Sequence, residues 1–318
     1  MTEHASVHLP VLVEEVVEKL LHSTQGTYLD ATFGRGGHSR AMLAALSPNG
    51  RVLGMDRDDE AVEAGHRLAE EDPRFSILKS RFGSMKRALE VFGEAELDGV
   101  LMDIGVSSPQ LDNPARGFSF RVEGPLDMRM DQADGESAED WINQASAEEI
   151  SYVLRELGEE RFARRIAQRI VASRPVSTTT ELAELIASAI PARSRSKETK
   201  HPATRSFQAI RMHVNRELEE LEAGLDEAWA LLKEGGRLAV ISFHSLEDRI
   251  VKTRFRNWSQ PPSLPRRMPV PDTMLKPEGK LIGKACKAGA RELEENPRSR
   301  SAVLRVIEKH GKPGGAHV

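Results

Sequence analysis

Apolar residues recur at Val13, Val16, Val17, Leu20 and Leu21, the i, i+3, i+4, i+7, i+8 spacing of one helix face, so residues 10–22 read as a helix packed on a core. Short apolar runs then end in an acid: Tyr28-Leu29-Asp30, Arg51–Asp56 and Leu97–Asp103, with residues 75–78 a further strand. Between the first acid and a helical pattern beginning near Ser39 (Met42, Leu43, Leu46) lie Gly34, Gly36 and Gly37. This reads as strand, glycine turn, helix, the opening unit of a nucleotide-cofactor fold. From about residue 112 the strand–helix alternation stops. Residues 137–145, 147–157, 160–173 and 179–190 read as helices, with Thr178 and Glu181 a capping box and Leu182, Leu185, Ile186 and Ile190 a buried stripe. On the third of these, Phe162, Ile166 and Ile170 face inward, leaving Arg161, Arg164, Arg165 and Arg169 for solvent or phosphates. A long helix is expected from an N-cap at Thr204 to about Lys233, stopping at Gly235-Gly236, then a strand over 237–243 and a last strand over 301–307. The pattern predicts an α/β sheet domain from residues 1–111 and 200–318, interrupted by an all-helical domain over 112–199.

The glycine turn admits two cofactor classes. A dinucleotide fingerprint wants Gly or Ala where Gly34-Arg-Gly-Gly-His-Ser39 places Ser39, so it is incomplete. Enzymes that use S-adenosylmethionine more often show an acid at the strand end with glycine two, four and six residues on; here Asp30 is followed by Thr32, Gly34 and Gly36. Either way glycine lets the backbone take φ > 0, and the helix N-terminus beside it adds partial positive charge. Asp56, 22 residues beyond Gly34, is placed to accept both ribose hydroxyls of an adenosine, or alternatively to cap the next helix.

Composition narrows the chemistry. The 318 residues are globular in make-up, with no apolar run near the ~18–20 residues that cross a bilayer and no basic leader before an apolar core, which fits a cytoplasmic protein. Cys286 is the single cysteine, which excludes an internal disulfide and a thiolate zinc cluster. Net charge is −4, but residues 193–215, 249–267 and 276–305 carry +5, +6 and +4, leaving −19 for the rest. Such asymmetry gives a basic face on an acidic body if those segments converge, as an RNA-binding surface would.

The fourth strand leads into Ile104-Gly-Val-Ser-Ser-Pro-Gln110, a partial match to the acid or Ser/Asn followed by proline that enzymes methylating exocyclic amines place there. The amine lone pair is delocalised into the base ring, so acceptors must grip it; Ser108 and the Pro109 carbonyl are the candidates, with a stacking ring from Phe118 or Phe120. No general base is required, because the attacked amine becomes acidic as the new bond forms, and positioning carries most of the rate. His244, at the end of the 237–243 strand, is a candidate base, but Ser245 with Asp248 also reads as a capping box there. Methylation at pyrimidine C5 needs a nucleophilic cysteine and zinc deamination a His/Cys/Cys set; Cys286 sits without a Pro-Cys signature and one cysteine cannot supply the second.

Seven stretches in order resemble one family, the bacterial 16S ribosomal RNA cytosine-N4 methyltransferases that use S-adenosylmethionine. They are Thr32-Phe-Gly-Arg-Gly-Gly-His38, Asp103-Ile-Gly-Val-Ser-Ser-Pro-Gln110, Arg116-Gly-Phe-Ser-Phe120, Gly124-Pro-Leu-Asp-Met-Arg-Met-Asp131, Lys200-His-Pro-Ala-Thr-Arg205, Ser242-Phe-His-Ser-Leu-Glu-Asp-Arg-Ile-Val-Lys252 and Glu295-Asn-Pro-Arg-Ser-Arg300. The resemblance implies a class I methyltransferase Rossmann-like sheet with an inserted helical substrate-recognition domain, acting on a cytidine of the decoding centre, with 16S rRNA or the small ribosomal subunit as partner. Family cofactor contacts fall on Gly36, Gly37, His38, Asp56, Phe82, Asp103 and Gln110. Lys200, Arg205, Arg249, Arg298 and Arg300 are the expected RNA contacts. Residues 259–290 match loosely.

Overall fold

The computed structural model describes residues 10–195, 201–261 and 276–311. It divides into two compact units, one made of residues 1–105 and 219–318, the other of 106–218. The inserted unit therefore begins a few residues before 112, and it takes the first part of the helix expected over 204–233, through 214, while the rest packs on the sheet.

In the first unit a sheet orders its strands β3-β2-β1-β4-β5-β8-β6: β1 (Thr27–Asp30), β2 (Arg51–Asp56), β3 (Phe75–Lys79), β4 (Leu97–Asp103), β5 (Leu232–Ser242), β6 (Gly279–Leu281) and β8 (Val303–Lys309), with β7 (Cys286–Lys287) also on β8. β1 to β5 are mutually parallel, and β8 runs antiparallel to β5. Both faces are buried, so the strands read as unbroken apolar runs and neighbouring residues go to opposite sides. Leu238 and Val240 join the core under α4 (Met85–Phe92), α12 (Glu217–Leu231) and α13 (Ser245–Ser259). Ala239 and Ile241 join that under α1 (Val13–Leu20), α2 (Gly37–Ala45) and α3 (Asp59–Glu71). The strand order reverses between β1 and β4. In open α/β sheets that is where ligands bind, beyond the carboxyl ends of the strands. α14 (Ala290–Glu295) lies ahead of β8. This is the Rossmann-like parallel sheet, with an antiparallel strand beside β5, that the resemblance implies.

The second unit holds α5 (Ser108–Asp112), α6 (Ala138–Gln144), α7 (Ala147–Glu156), α8 (Ala163–Ala172), α9 (Thr179–Ala189), α10 (Ala192–Arg195) and α11 (Thr204–Val214) around their own apolar core. Ser137 and Ser146 open α6 and α7 with capping boxes, which explains the sharp helix starts in the sequence. The helix expected over 204–233 is instead two, α11 and α12, broken at Asn215-Arg216. The buried Asn215 amide accepts the Met130 N–H (2.8 Å) and donates to the Met128 carbonyl (2.7 Å), Arg216 takes φ 49°, and Arg211 and Glu217 pair across the break through two 2.8 Å bonds. Helical periodicity continues through this point, so the break depends on a side chain claimed by a distant loop. Thr204 is the first helical residue; Ala203 caps it without a side-chain bond.

Candidate active site

Three acids stand side by side at the carboxyl ends of β2, β1 and β4. Asp30 pairs in register with Gly54 and Leu101 on its two neighbours. Asp56 closes β2 opposite Lys79, and Asp103 closes β4 opposite Ile241. Asp30 is 1% exposed; one oxygen accepts the Ser39 hydroxyl at 2.7 Å, the other the Thr32 N–H at 3.3 Å. Asp56 accepts the N–H groups of Gly34 (2.8 Å) and Asp58 (2.9 Å), one on each oxygen. Each oxygen thus keeps a lone pair, as acceptance of a vicinal diol requires. The Asp103 side chain is 24% exposed, its Oδ2 lies 3.7 Å from the His38 Nδ1, and its buried Oδ1 accepts no hydrogen bond among the described residues. A buried carboxylate oxygen without a donor costs its desolvation, so a ligand donor is the natural partner.

Burial raises all three carboxyls to about 6. Hydrogen bonds from Ser39 and Thr32 oppose the rise at Asp30, and the Asp58 and Gly34 N–H groups at Asp56. At Asp103 burial is opposed by His38 and reinforced by Asp30 and Glu247.

The turn between β1 and α2 is built by the chain's own packing as much as for a ligand. Gly36 has φ 76°, and a Cβ there would fall 2.6 Å from the Phe33 ring. A Cβ on Gly37 would fall 2.8 Å from Pro10, whose ring lies over the turn. The next residue, His38, is buried and bonds through Nε2 to the Val11 carbonyl at 2.9 Å, so residues 10–12 strap the turn. Gly34 differs. It has φ 56°, and the nearest atom to a Cβ would be the Thr32 carbonyl oxygen at 3.9 Å, so this position opens on free space.

Thr32 and Ser39, which interrupt the two glycine fingerprints, are the residues sequence reasoning missed. The Thr32 hydroxyl accepts the Asp103 N–H at 2.6 Å, and the Ser39 hydroxyl is the Asp30 partner. The available signal was two hydroxyls within ten residues of a strand-ending acid. Phe82 begins a short 3₁₀ turn after β3, half-buried, its ring against Gly224 of α12.

His244 is the N-cap of α13. Its Nδ1 accepts the Leu246 N–H at 3.3 Å, while buried Glu247 accepts the His244 N–H at 3.0 Å. The capping box is His244 with Glu247, one residue earlier than Ser245 with Asp248, and Asp248 instead pairs with Arg305 of β8 at 2.7 Å. Because Nδ1 is an acceptor, the neutral ring carries its proton on Nε2, which argues against a base at Nδ1.

Within the second unit, Ser107 caps α5, and the Gln110 Oε1 accepts its N–H at 3.0 Å. Ser108 is 8% exposed, and the Pro109 carbonyl already accepts the Asn113 N–H at 2.9 Å, leaving one lone pair. Phe118 is buried in the helical core, and Phe120 packs 4.7 Å from both His201 and Phe207, so neither ring is free for stacking. The Arg116–Phe120 and Gly124–Asp131 stretches serve structure: the buried Arg116 guanidinium donates to the Met130 carbonyl at 2.9 Å, and Asp127 holds Arg129 through bonds of 2.8 and 2.9 Å. Arg205, Arg249, Arg298 and Arg300 are exposed, and Lys200 lies outside the described residues. Among the described residues no His/Cys/Asp/Glu group has the arrangement of a metal site, and no helix is long and apolar enough to cross a membrane.

The model of the MraW methylase family matches residues 5–310. The chain belongs to the MraW methylase family. It is similar to "Ribosomal RNA small subunit methyltransferase H" of Stenotrophomonas maltophilia strain R551-3, at 55% identity over 97% of this chain and 95% of that protein. The protein of the same name from Thioalkalivibrio sulfidiphilus is 53% identical over 96% and 98% of the two chains. The carboxyl edge of the sheet, at the reversal of strand order, is where open α/β sheets take their ligands. The residues there fit a cofactor that brings hydroxyl and ammonium donors: two half-used Asp56 oxygens, an orphan Asp103 oxygen and an open Gly34.

Proposed function

We propose that this protein uses S-adenosylmethionine to methylate small-subunit ribosomal RNA, and that the acceptor is the exocyclic N4 of a cytidine in the decoding centre of 16S rRNA. The name carried by relatives at 53–55% identity supports the RNA class. The observation that carries the cofactor is the row of carboxylates at the ends of β2, β1 and β4, with Asp103 Oδ1 accepting nothing among the described residues. In this reading Asp56 accepts the ribose hydroxyls, Gly36, Gly37 and His38 flank the methionine moiety, and Asp103, Phe82 and Gln110 hold the remaining groups. Bound S-adenosylmethionine supplies an electrophilic methyl group. Ser108 and the remaining Pro109 lone pair would accept the N–H groups of the target amine and so orient its nitrogen. Arg205, Arg249, Arg298 and Arg300, with Lys200, contact RNA phosphate.

The test is to incubate rRNA from a strain lacking the protein, free and in subunits, with methyl-labelled cofactor and to map the product by mass. Label on one cytidine, at N4, is expected. Label at C5, or on no nucleotide of either substrate, overturns the proposal.

A further inference from the structure

The sequence left α8 with a row of arginines that neither the core nor the cofactor edge uses. Arg161, Arg164, Arg165 and Arg169 are all exposed, opposite Ala163, Ile166, Ala167 and Ile170, which are buried. A helix rises about 1.5 Å per residue, so Arg165 and Arg169 follow one another at a step of roughly 6 Å along one side, and Arg161 lies in the turn just before α8. None of the four has a carboxylate partner within ion-pair distance among the described residues, whereas Arg211, Arg237 and Arg305, for example, do.

Helix stability does not account for them. α8 has no acid in its first turn and no side-chain cap; Arg164 and Arg165 occupy that turn, where the helix dipole disfavours cations. α3, α6, α7, α9 and α13 all carry acids there. The nearest acids are in the preceding turn: Glu160 is buried and accepts the Phe162 N–H at 2.9 Å, and Glu159 is exposed. Four cations and a helix N-terminus with no acid among them attract a polyanion. On α7, which packs on α8, Tyr152 keeps 60% of its surface exposed, with the Arg155 guanidinium 5.9 Å from its ring centroid. Arg155 also pairs with Glu156 at 2.9 Å. A solvent-facing aromatic with a guanidinium near its ring offers a stacking face for a base, although Glu148, Glu149 and Glu156 are its other neighbours one turn away on α7.

We propose that the outward face of the α7–α8 hairpin binds ribosomal RNA, α8 through phosphates and Tyr152 through an unpaired base. This rests on the RNA reading above and adds the surface that holds the substrate. Its test uses the full chain with Arg164→Ala/Arg165→Ala/Arg169→Ala, the charge-reversed Arg164→Glu/Arg165→Glu, and Tyr152→Ala. Binding to protein-free 16S rRNA and to the subunit is measured against salt, alongside methyl transfer and Tm.

The alanine variant should raise the apparent KM for RNA roughly tenfold or more with kcat unchanged, and flatten the salt slope by about 0.7–0.9 for each phosphate no longer neutralised. Charge reversal should weaken binding further while Tm stays equal or rises, because acids suit a helix N-terminus. A purely structural role would lower Tm. Tyr152→Ala should weaken binding without changing the slope. Unchanged KM and slope in an active enzyme overturn the proposal, as does loss of subunit binding with protein-free rRNA binding intact, which would assign the face to a ribosomal protein. If wild type transfers no methyl group to rRNA, the RNA reading fails, and the salt slope of binding still judges the surface.

Discussion

At the scale of single residues, the site is governed by carboxylates held up near 6 by burial. Their folded pKa lies above the unfolded value, so the folded state binds protons more tightly between about 4 and 6. The cost of burying the charge is therefore fully present above 6 and is relieved as pH falls through that window. Cofactor-free protein should accordingly lose less stability than carboxylate-rich proteins usually do between pH 7.5 and 5.5, and Asp30→Asn should reduce that pH dependence; thermal melts across the range check this. Binding has the opposite sign. Donors on a ligand favour ionised Asp56 and Asp103, so affinity for S-adenosylhomocysteine should fall below pH 6, by about tenfold per unit for each carboxylate that must ionise, as calorimetry at pH 5–8 would read. Asp56→Asn should weaken binding by about 1.5–3 kcal/mol at pH 7.5, the range for a hydrogen bond to a charged group. Ser108→Ala should instead lower kcat roughly tenfold while leaving cofactor affinity unchanged; equal loss of both would place Ser108 in the cofactor site.

At the scale of the element, the glycine turn separates two reasons for glycine. Gly37→Ala drives a methyl into Pro10 and should destabilise by about 1–3 kcal/mol, as overpacking does. Pro10→Ala should restore part of that stability in the double variant, measured by denaturant melts. Gly34→Ala makes only an ordinary contact, 3.9 Å from the Thr32 carbonyl oxygen. It should cost only the roughly 1–2 kcal/mol of a left-handed residue, yet reduce cofactor affinity disproportionately because the new methyl enters the open space. The turn was visible in the sequence from its glycines; the Pro10 strap was not, since no local pattern links residue 10 to residue 37.

At the scale of the molecule, each unit has its own core, and every proposed cofactor contact except Gln110 lies in the unit that carries the sheet. S-adenosylhomocysteine at 100 times its Kd stabilises whatever binds it by about 2.7 kcal/mol, so calorimetry should show the shift in the unit carrying the sheet, and NAD should produce none. Hydrophobic period and strand-ending acids determined the element types, the parallel sheet and the existence of a helical insertion, because core burial imposes those patterns locally. The sequence also placed Asp56 and Asp103 at strand ends, and the structure adds that Asp30 lies between them on adjacent strands. Only the tertiary structure decided that Thr32 and Ser39 serve the acids, that Asn215 divides a continuous helical pattern, and that Phe118 is core. Each depends on a partner brought near by folding, from nine residues away at Ser39 to 71 at Thr32 and 87 at Asn215, and no one-dimensional period records which side chain a buried backbone group will claim.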